Sequence, residues 1–275
     1  MILKTDVIGT DGKKLETIDL PSVFNTPFRP EVIHKSYVNV LSHSFQKQGR
    51  YAAAGEIVSA ESRNTGLGIA RIARARGEGF ARAGQAAGVA GVRHGRVAHP
   101  PNSSKMIYKK INRKEKHLGF CSAIAATARK DIVKKRGHII DDSLSLPIVV
   151  SNEIESVSKT KDLYRILIAM GLQQDLARVK LAYENRTGAS KGNRKRRPGI
   201  SAMLVVRKEP SDVCKLSDSI PGLDIKPLDR VNILDLVPGA KPARLTIFTQ
   251  NAISELRNVR PTFHSVHELV SANEQ

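Results

Sequence analysis

Arginine residues recur every few positions in the first third of the chain, a pattern suited to binding phosphate groups. They stand at Arg71, Arg74, Arg76, Arg82, Arg93 and Arg96. A guanidinium group binds phosphate through two parallel hydrogen bonds and stacks on bases, whereas a lysine ammonium acts mainly as a point charge. In an extended chain, at about 3.3 Å per residue, this spacing reaches successive phosphates. The pattern predicts contact with a polyphosphate, and the dominance of Arg favours RNA.

Glycine is concentrated in the same stretch. Ten of the 20 glycines lie between Lys47 and Arg96, and neither a helical nor a strand period is sustained there. Such a stretch buries too little apolar area to offset its ordering entropy. We therefore expect it to be unstructured alone or ordered by a partner. A solvated surface run is the less favoured alternative, because so many glycines suit a surface helix poorly.

The positive charge of the chain is confined to two segments. The whole chain has 45 Lys and Arg against 26 Asp and Glu, a net charge of +19. Residues 47–136 hold 20 basic and 5 acidic residues, residues 178–208 hold ten and one, and the remainder has a net charge of −5. Because nucleic-acid footprints concentrate charge, both segments are predicted to bind phosphate. A nuclear-localisation signal is the less favoured alternative for Lys191–Arg197.

The glycine pattern does not support an enzyme that binds a dinucleotide. Gly66–Gly68 and Gly77–Gly79 carry Gly-x-Gly, but no strand precedes them and no third glycine follows in register. We found no set of nucleophile, base and oxyanion donors elsewhere. The sequence therefore predicts a protein that is not an enzyme and that uses no cofactor.

Histidine and cysteine are too sparse for a metal site. Two histidine pairs could each touch a metal, but no third ligand has matching spacing. Two cysteines far apart cannot form a disulfide framework or a four-ligand zinc site. The pairs are His94 with His99 and His264 with His267, and the cysteines are Cys121 and Cys214.

Outside the basic stretch, strand and helix patterns alternate, which indicates an α/β body. The predicted strands are Ile2–Ile8, Lys14–Leu20, Leu146–Val150, Ala202–Val206, Leu223–Pro227 and Leu245–Thr249. The predicted helices run from Pro30 to Gly49, Lys114–Arg136, Thr160–Met170, Gln173–Tyr183, from a cap at Asp229 to Asp235, and Asn251–Asn258. We predict a three-layer body with a mostly parallel sheet, into which a long basic extended loop is inserted.

The predicted domain organisation places the globular α/β body at residues 1–46 and 111–260. Residues 47–110 form the extended Arg/Gly-rich loop, and residues 261–275 form a short tail. No run of about 18 apolar residues predicts a membrane span. The first ten residues, with Asp6 inside their apolar stretch, lack a signal-peptide core, so a cytoplasmic location is expected.

Five stretches are long and specific enough to compare with known families. They are Ser59–Gly68 (SAESRNTGLG), Gly68–Arg76, Gly95–Pro101 (GRVAHPP), Lys109–Ala128 (KKINRKEKHLGFCSAIAATA) and Leu146–Glu155 (LPIVVSNEIE). They resemble the family of the universal large-subunit ribosomal protein numbered four, in its archaeal and eukaryotic branch. The resemblance covers the chain from about Ile2 to Asn258, and the short tail favours an archaeal source.

The resemblance implies a structural role in the large ribosomal subunit in the cytoplasm. In this family the body lies on the outer surface of the subunit, and a long loop penetrates ribosomal RNA and lines the peptide exit tunnel. The implied partners are large-subunit rRNA, neighbouring ribosomal proteins and the nascent peptide, with no membrane and no homo-oligomer. Relatives often carry a bulky residue near the loop tip, and this chain carries Gly, Ala and Arg there, so the lumen-facing side chain stays open.

The predicted binding residues combine both basic segments with the return path of the loop. For RNA they are Arg50, Arg63, Arg71, Arg74, Arg76, Arg82, Arg93, His94, Arg96, Lys105, Lys109, Lys110, Arg113, Lys114, Lys116, Lys191, Arg194, Lys195, Arg196 and Arg197. By resemblance, the tunnel-facing loop tip comprises Gly66, Gly68, Arg71, Arg74, Arg76, Gly77 and Gly79.

Two other classes of protein remain as alternatives. One is an RNA-modifying enzyme with a Rossmann-like core and a basic insertion, which would need a cofactor-binding glycine turn followed by an acidic residue. The other is a nucleoid DNA-binding protein, which would bind duplex DNA as tightly as folded RNA.

Overall fold

The structure, a computed structural model, describes residues 3–141, 144–184, 199–207 and 212–259. The chain divides into two compact units. The first, the body, comprises the residues up to Ser42 and those from Lys109 onward, and the second, the insert, comprises His43–Tyr108. The predicted loop, residues 47–110, overlaps the insert.

The body contains a six-stranded sheet with one antiparallel edge. Its strands are β1 (Lys4–Ile8), β2 (Lys14–Asp19), β5 (Ile148–Val150), β6 (Met203–Val206), β7 (Asp224–Pro227) and β8 (Thr246–Thr249). Their order is β2-β1-β5-β8-β6-β7, and every neighbouring pair is parallel except β1 with β2. Strands β5, β6 and β8 are fully buried, as expected for parallel strands that are covered on both faces.

Helices cover both faces of this sheet. They are α1 (Pro30–Ser42), α2 (Arg113–Thr127), α3 (Lys130–Arg136), α4 (Thr160–Ala169), α5 (Gln173–Glu184), α6 (Ile233–Leu236) and α7 (Gln250–Leu256), with 3-10 turns at Ser22–Asn25, Asn152–Ser156, Asp212–Ser219, Leu228–Arg230 and Pro238–Ala240. Leu204 and Val206 pack with α3, α4 and α5, whereas Met203 and Val205 pack with α1, α2, α6 and α7. The predicted three-layer α/β body with a mostly parallel sheet is confirmed.

Helix α1 ends earlier than its pattern predicts. The spacing of apolar residues extends it to Gly49, but the helix stops at Ser42. The Ser42 hydroxyl donates to the Asn39 carbonyl, at 2.6 Å, and accepts from the Lys109 amide, at 2.8 Å. The chain therefore leaves the body at Ser42 and returns to it at Lys109, and these two residues are hydrogen-bonded to each other.

The single helix predicted over Lys114–Arg136 is two helices. Arg129 is extended, with φ −94° and ψ 105°, and separates α2 from α3. The break has a packing reason, because Cys121 and Ile124 of α2 lie on one face of the sheet and Val133 of α3 lies on the other. The predicted end at Gly137 is correct, and its φ of 108° is one that glycine adopts readily.

The start of helix α6 also differs from the prediction. The sequence suggested Asp229 as the cap, but Asn232 caps the helix. The Asn232 side chain accepts from the Ile233 amide at 2.7 Å, and the Asp235 carboxylate accepts from the Asn232 amide at 3.0 Å. Asp229 instead lies in the 3-10 turn Leu228–Arg230.

The insert contains a short two-stranded antiparallel sheet. Strand β3 (Ala60–Ser62) pairs with β4 (Ala73–Ala75), and Arg74 forms an isolated bridge with Ala86. This regular structure was not predicted, since three-residue strands are too short to set up a period. In the described parts of the chain no helix is long and apolar enough to cross a membrane.

Candidate nucleic-acid interface

The insert presents most of its predicted RNA-binding side chains to solvent. Eight of the ten predicted residues in this unit are exposed, namely Arg50, Arg63, Arg71, Arg76, Arg93, His94, Arg96 and Lys105. Acidic partners accompany two of them, Glu61 beside Arg76 and Glu56 beside Arg96. With ten Lys and Arg against three acids, the insert has a net charge of +7.

The other two predicted cations, Arg74 and Arg82, are partly buried and hold the insert together. Arg74 Nη1 donates to the Gly84 carbonyl at 3.0 Å, and Arg82 Nη2 donates to the Arg93 carbonyl at 2.6 Å. Each bond joins segments ten or more residues apart. These two arginines therefore stabilise the insert itself, in addition to the phosphate contacts predicted for them.

The glycines predicted at the loop tip lie in two different turns. Gly66 and Gly68 lie in the connection between β3 and β4, whereas Gly77 and Gly79 follow β4. All four have positive φ, between 64° and 94°, which favours glycine over other residues. The structure thus places these glycines at opposite ends of β4, one pair in the hairpin turn and the other in the segment that follows the strand.

A cleft of about 250 Å3 lies beside this hairpin. Its lining includes Arg76, Arg82 and His94, together with the half-exposed ring of Phe80. Cations beside an aromatic ring can hold a phosphate and an exposed base at the same time. No role was predicted for Phe80, because a single aromatic residue in a long basic stretch is a weak signal.

The predicted return path brings five further cations to the surface of the body. Lys109, Lys110, Arg113, Lys114 and Lys116 are all exposed. Helix α2 begins at Arg113, so the last three project from its first turns. The remaining predicted residues, Lys191, Arg194, Lys195, Arg196 and Arg197, lie outside the described residues.

A groove of about 490 Å3 lies between α2 and the segment that leads into α6. From α2 it is lined by Arg113, Lys116, His117 and Phe120, and from the other side by residues 229–233. Of these lining residues only Arg113 and Lys116 were predicted. The spacing of residues 113, 116, 117 and 120 places them on one helix face, so it could also have indicated His117 and Phe120.

Below this groove, Cys121 lies in the core. Its sulfur is 3.5 Å from His117 Nε2, and burial raises the pKa of the thiol to about 11. Cys121 therefore stays protonated at neutral pH and behaves as a small apolar residue, not as a nucleophile. No group of three or more His, Cys, Asp or Glu that could hold a metal occurs in the described ranges.

Residues 185–198 lie outside the described part of the chain, and a buried polar network joins the residues that precede them to those that follow. Asp175 of α5 has no exposed surface and accepts from Ser201 Oγ at 2.6 Å and from Arg178 Nε at 3.0 Å. Arg178 Nη2 also donates to the Ile200 carbonyl at 3.0 Å. The network thereby ties α5 to the residues just before β6.

His138 and Arg244 complete the network. The Leu245 amide donates to His138 Nε2 at 3.3 Å, so Nδ1 carries the hydrogen and donates to Asp175 at 3.2 Å. Arg244 donates to the Ser201 carbonyl at 2.9 Å and to Asp224 at 2.5 Å. Burial alone raises the pKa of Asp175, but the hydrogen bonds from His138 and Ser201 outweigh it and lower the pKa to about 2. No local pattern in the sequence indicates these residues, because they are far apart in the chain.

Comparison with known proteins agrees with this architecture. The model of the ribosomal protein L4/L1 family matches residues 18–259. The large ribosomal subunit protein uL4 of Pyrobaculum aerophilum is 38% identical over 258 residues, which cover 93% of this chain and 90% of that protein. The protein of the same name from Saccharolobus islandicus is 35% identical over 251 residues, which cover 91% and 92%.

These similarities decide two of the sequence-based predictions. The relatives are archaeal and are named as ribosomal proteins, which confirms both the resemblance and the prediction that the chain is not an enzyme. The chain belongs to the ribosomal protein L4/L1 family.

Proposed function

We propose that this protein is a structural constituent of the large ribosomal subunit in the cytoplasm, where it binds rRNA. Membership of a ribosomal family supports the structural role. Fifteen of the predicted RNA-binding residues lie in the described part of the chain, all between Arg50 and Lys116. The observation that carries the rRNA proposal is that 13 of these 15 are exposed. Such a concentration of exposed cations on one segment is what a phosphate backbone requires.

In this proposal the insert and the body have different tasks. The body docks on rRNA through the lysine-rich start of α2, and the Arg/Gly-rich insert enters between RNA helices and neutralises their phosphates. The insert then forms part of the wall of the peptide exit tunnel and meets the nascent peptide, while the body meets neighbouring ribosomal proteins. Ordering of the insert against RNA would contribute to subunit assembly.

The dependence of binding on salt tests the rRNA proposal. If about eight phosphates are neutralised, affinity for large-subunit rRNA should fall about a thousandfold or more between about 50 and 200 mM salt. Filter binding of the full chain to deproteinised archaeal large-subunit rRNA measures this. Affinity that does not change with salt would contradict the proposal, and so would equal affinity for duplex DNA.

Integration into the subunit is tested by sedimentation. A protein that enters the RNA should stay with large subunits after a wash in about 0.5 M salt, where the Debye length is only about 4 Å and surface attraction is screened. Quantitative release of the protein in this wash would indicate peripheral attachment and would contradict the proposed insertion.

A further inference from the structure

We propose that the groove between α2 and residues 229–233 binds one unstacked RNA nucleotide, with its base on Phe120 and its phosphate on Arg113 and Lys116. The proposal rests on the rRNA-binding function proposed above and assigns it a specific site on the body.

One face of α2 provides the chemistry. Arg113, Lys116, His117 and Phe120 follow one another at the spacing that places side chains on a single helical face, and all four line the groove. The cations lie in the first turns and the aromatic ring two turns from the helix start. The order along the helix is therefore phosphate-binding groups followed by a stacking surface.

Phe120 is held in place by the body. It is partly buried and packs against the core cluster that contains Cys121, Ile124 and Ile233, while part of its ring lines the groove. A ring fixed in this way offers a base a surface without the entropy cost of ordering a mobile side chain. Stacking on aromatic side chains is how proteins commonly bind bases that have left a helix.

The opposite wall argues for a nucleotide over an acidic peptide. It carries Arg230, which adds a third cation, but also the exposed carboxylate of Asp229. An acidic peptide presents carboxylates throughout and would be repelled by Asp229. A nucleotide combines one anionic phosphate with hydrogen-bond donors on its base and ribose, which a carboxylate can accept.

The groove also shares residues with the cationic run of the body. Arg113 and Lys116 belong both to the groove and to the cationic run that starts at Lys109. A volume of about 490 Å3 lies within the range of small-molecule sites. An RNA strand that follows the lysine-rich run would therefore reach the groove without leaving the protein surface.

Ultraviolet cross-linking of the unaltered full chain tests the site directly. The probes are deproteinised archaeal large-subunit rRNA and a 12-nucleotide oligoadenylate, about the length that single-strand binding sites occupy. After digestion, peptide mass spectrometry should locate a cross-linked nucleotide at Phe120 or within 113–120. Cross-links confined to the insert would overturn the groove proposal and leave the rRNA-binding function standing. No cross-link and no binding at low salt would instead contradict the function.

Two matched pairs of variants provide an independent measurement. Phe120→Leu keeps an apolar side chain on the core but removes the ring, and it should weaken oligoadenylate binding about tenfold. Phe45→Leu in the insert is the matched control, because Phe45 is exposed and lines neither the cleft nor the groove, and it should leave oligoadenylate binding unchanged. Lys116→Gln should weaken binding more than Lys114→Gln, because Lys114 is adjacent in sequence but does not line the groove.

The outcomes of the variant series separate a binding defect from a folding defect. Urea unfolding and circular dichroism establish that each variant keeps the wild-type fold. If Phe120→Leu is folded and binds oligoadenylate as tightly as the wild type, the stacking role is wrong. Equal losses for Lys114→Gln and Lys116→Gln would show that only the general charge of α2 matters, and that would also overturn the groove proposal.

Discussion

Asp175 accepts four hydrogen bonds at a position that solvent does not reach. Its donors are Ser201, His138, Arg178 and the Ile139 amide. A buried carboxylate without partners would be strongly destabilising, whereas one with each oxygen satisfied can stay ionised. Asp175 therefore fixes α5 to the residues just before β6 and makes the stability of the fold depend on pH.

The first prediction concerns this dependence. The pKa of Asp175 is about 2 in the folded protein, against an ordinary value of 3.8. A lowered pKa stabilises the fold above the unfolded value, and this stabilisation is lost as the pH falls through the folded value. The free energy of unfolding of the wild type, relative to Asp175→Asn, should therefore drop by about 2 kcal/mol between about pH 5 and pH 1. Urea titrations at each pH measure it.

A surface carboxylate serves as the control for that experiment. Asp162 is half-exposed and lies 3.6 Å from Arg165, an exposed pair of a kind that contributes little to stability. Asp162→Asn should differ from the wild type by less than about 1 kcal/mol at every pH. If the advantage of the wild type over Asp175→Asn does not change with pH, the role assigned to the hydrogen bonds of Asp175 is wrong.

For single residues, the sequence indicates which cations matter better than it indicates the residues that they bind. Arg71 and Arg76 are recognisable because they recur in a local pattern, and the structure places them on the surface. Arg244 is just as important to the fold but is a single arginine before an apolar strand. Its partners Asp224 and Ser201 are 20 and 43 residues away, and only the sheet order brings them together.

Helices α1 and α2 approach each other closely at Gly119. A Cβ atom there would lie 2.5 Å from Ser36 Oγ and 3.0 Å from Ser36 Cβ. Gly119→Ala should therefore separate the helices and lower the free energy of unfolding by about 1–3 kcal/mol, in spite of the better helix propensity of alanine. Chemical denaturation measures the change.

A double-mutant cycle assigns that loss to the contact between the helices. Ser36→Gly removes both atoms that the new methyl group would meet, at a cost of about 1 kcal/mol for a glycine inside a helix. In that background Gly119→Ala should cost little or become stabilising. An undiminished cost in the double variant would place the effect of Gly119→Ala elsewhere than at Ser36.

The cap of α6 gives a second prediction for an element. Asn232 forms a capping box with Asp235, so Asn232→Ala should lower the free energy of unfolding by about 1 kcal/mol. Asp229, the cap that the sequence suggested, is exposed, and Asp229→Ala should change it by less than about 0.5 kcal/mol. Thermal unfolding of the two variants side by side tests this, and a larger loss for Asp229→Ala would contradict the observed cap.

Element types were predictable from sequence, but element ends depend on the tertiary structure. Leu204 and Ile247 lie in short apolar runs that indicate buried strands, and both are buried in the sheet. The break at Arg129 has no local signal, since the residues around it favour a helix. It exists because Cys121 and Val133 must reach opposite faces of the sheet, which depends on strands that both precede Arg129 and follow it in the chain.

On the scale of the whole molecule, the apolar core lies in the body, whereas the positive charge is shared between the body and the insert. The buried apolar residues of the sheet and its helices lie in the body, which also holds 35 Lys and Arg against 23 acidic residues. The insert holds ten Lys and Arg against three acidic residues, so its basic residues are much less balanced by acids. The unequal distribution of charge was visible in the sequence. The two-stranded sheet inside the insert was not, because its strands have three residues each.

The last prediction is that the insert can be removed without unfolding the body. The Lys109 amide lies 2.8 Å from Ser42 Oγ, so a short Gly/Ser linker can replace residues 43–108 without strain. Because the closure entropy of a short loop is small, the shortened chain should keep a single cooperative urea transition. Its affinity for large-subunit rRNA should fall, and the slope of log affinity against log salt should fall by about 4 if half of the ten cations contact phosphate. Loss of cooperative unfolding would show that the insert is part of the core, and an unchanged salt slope would show that it does not bind RNA.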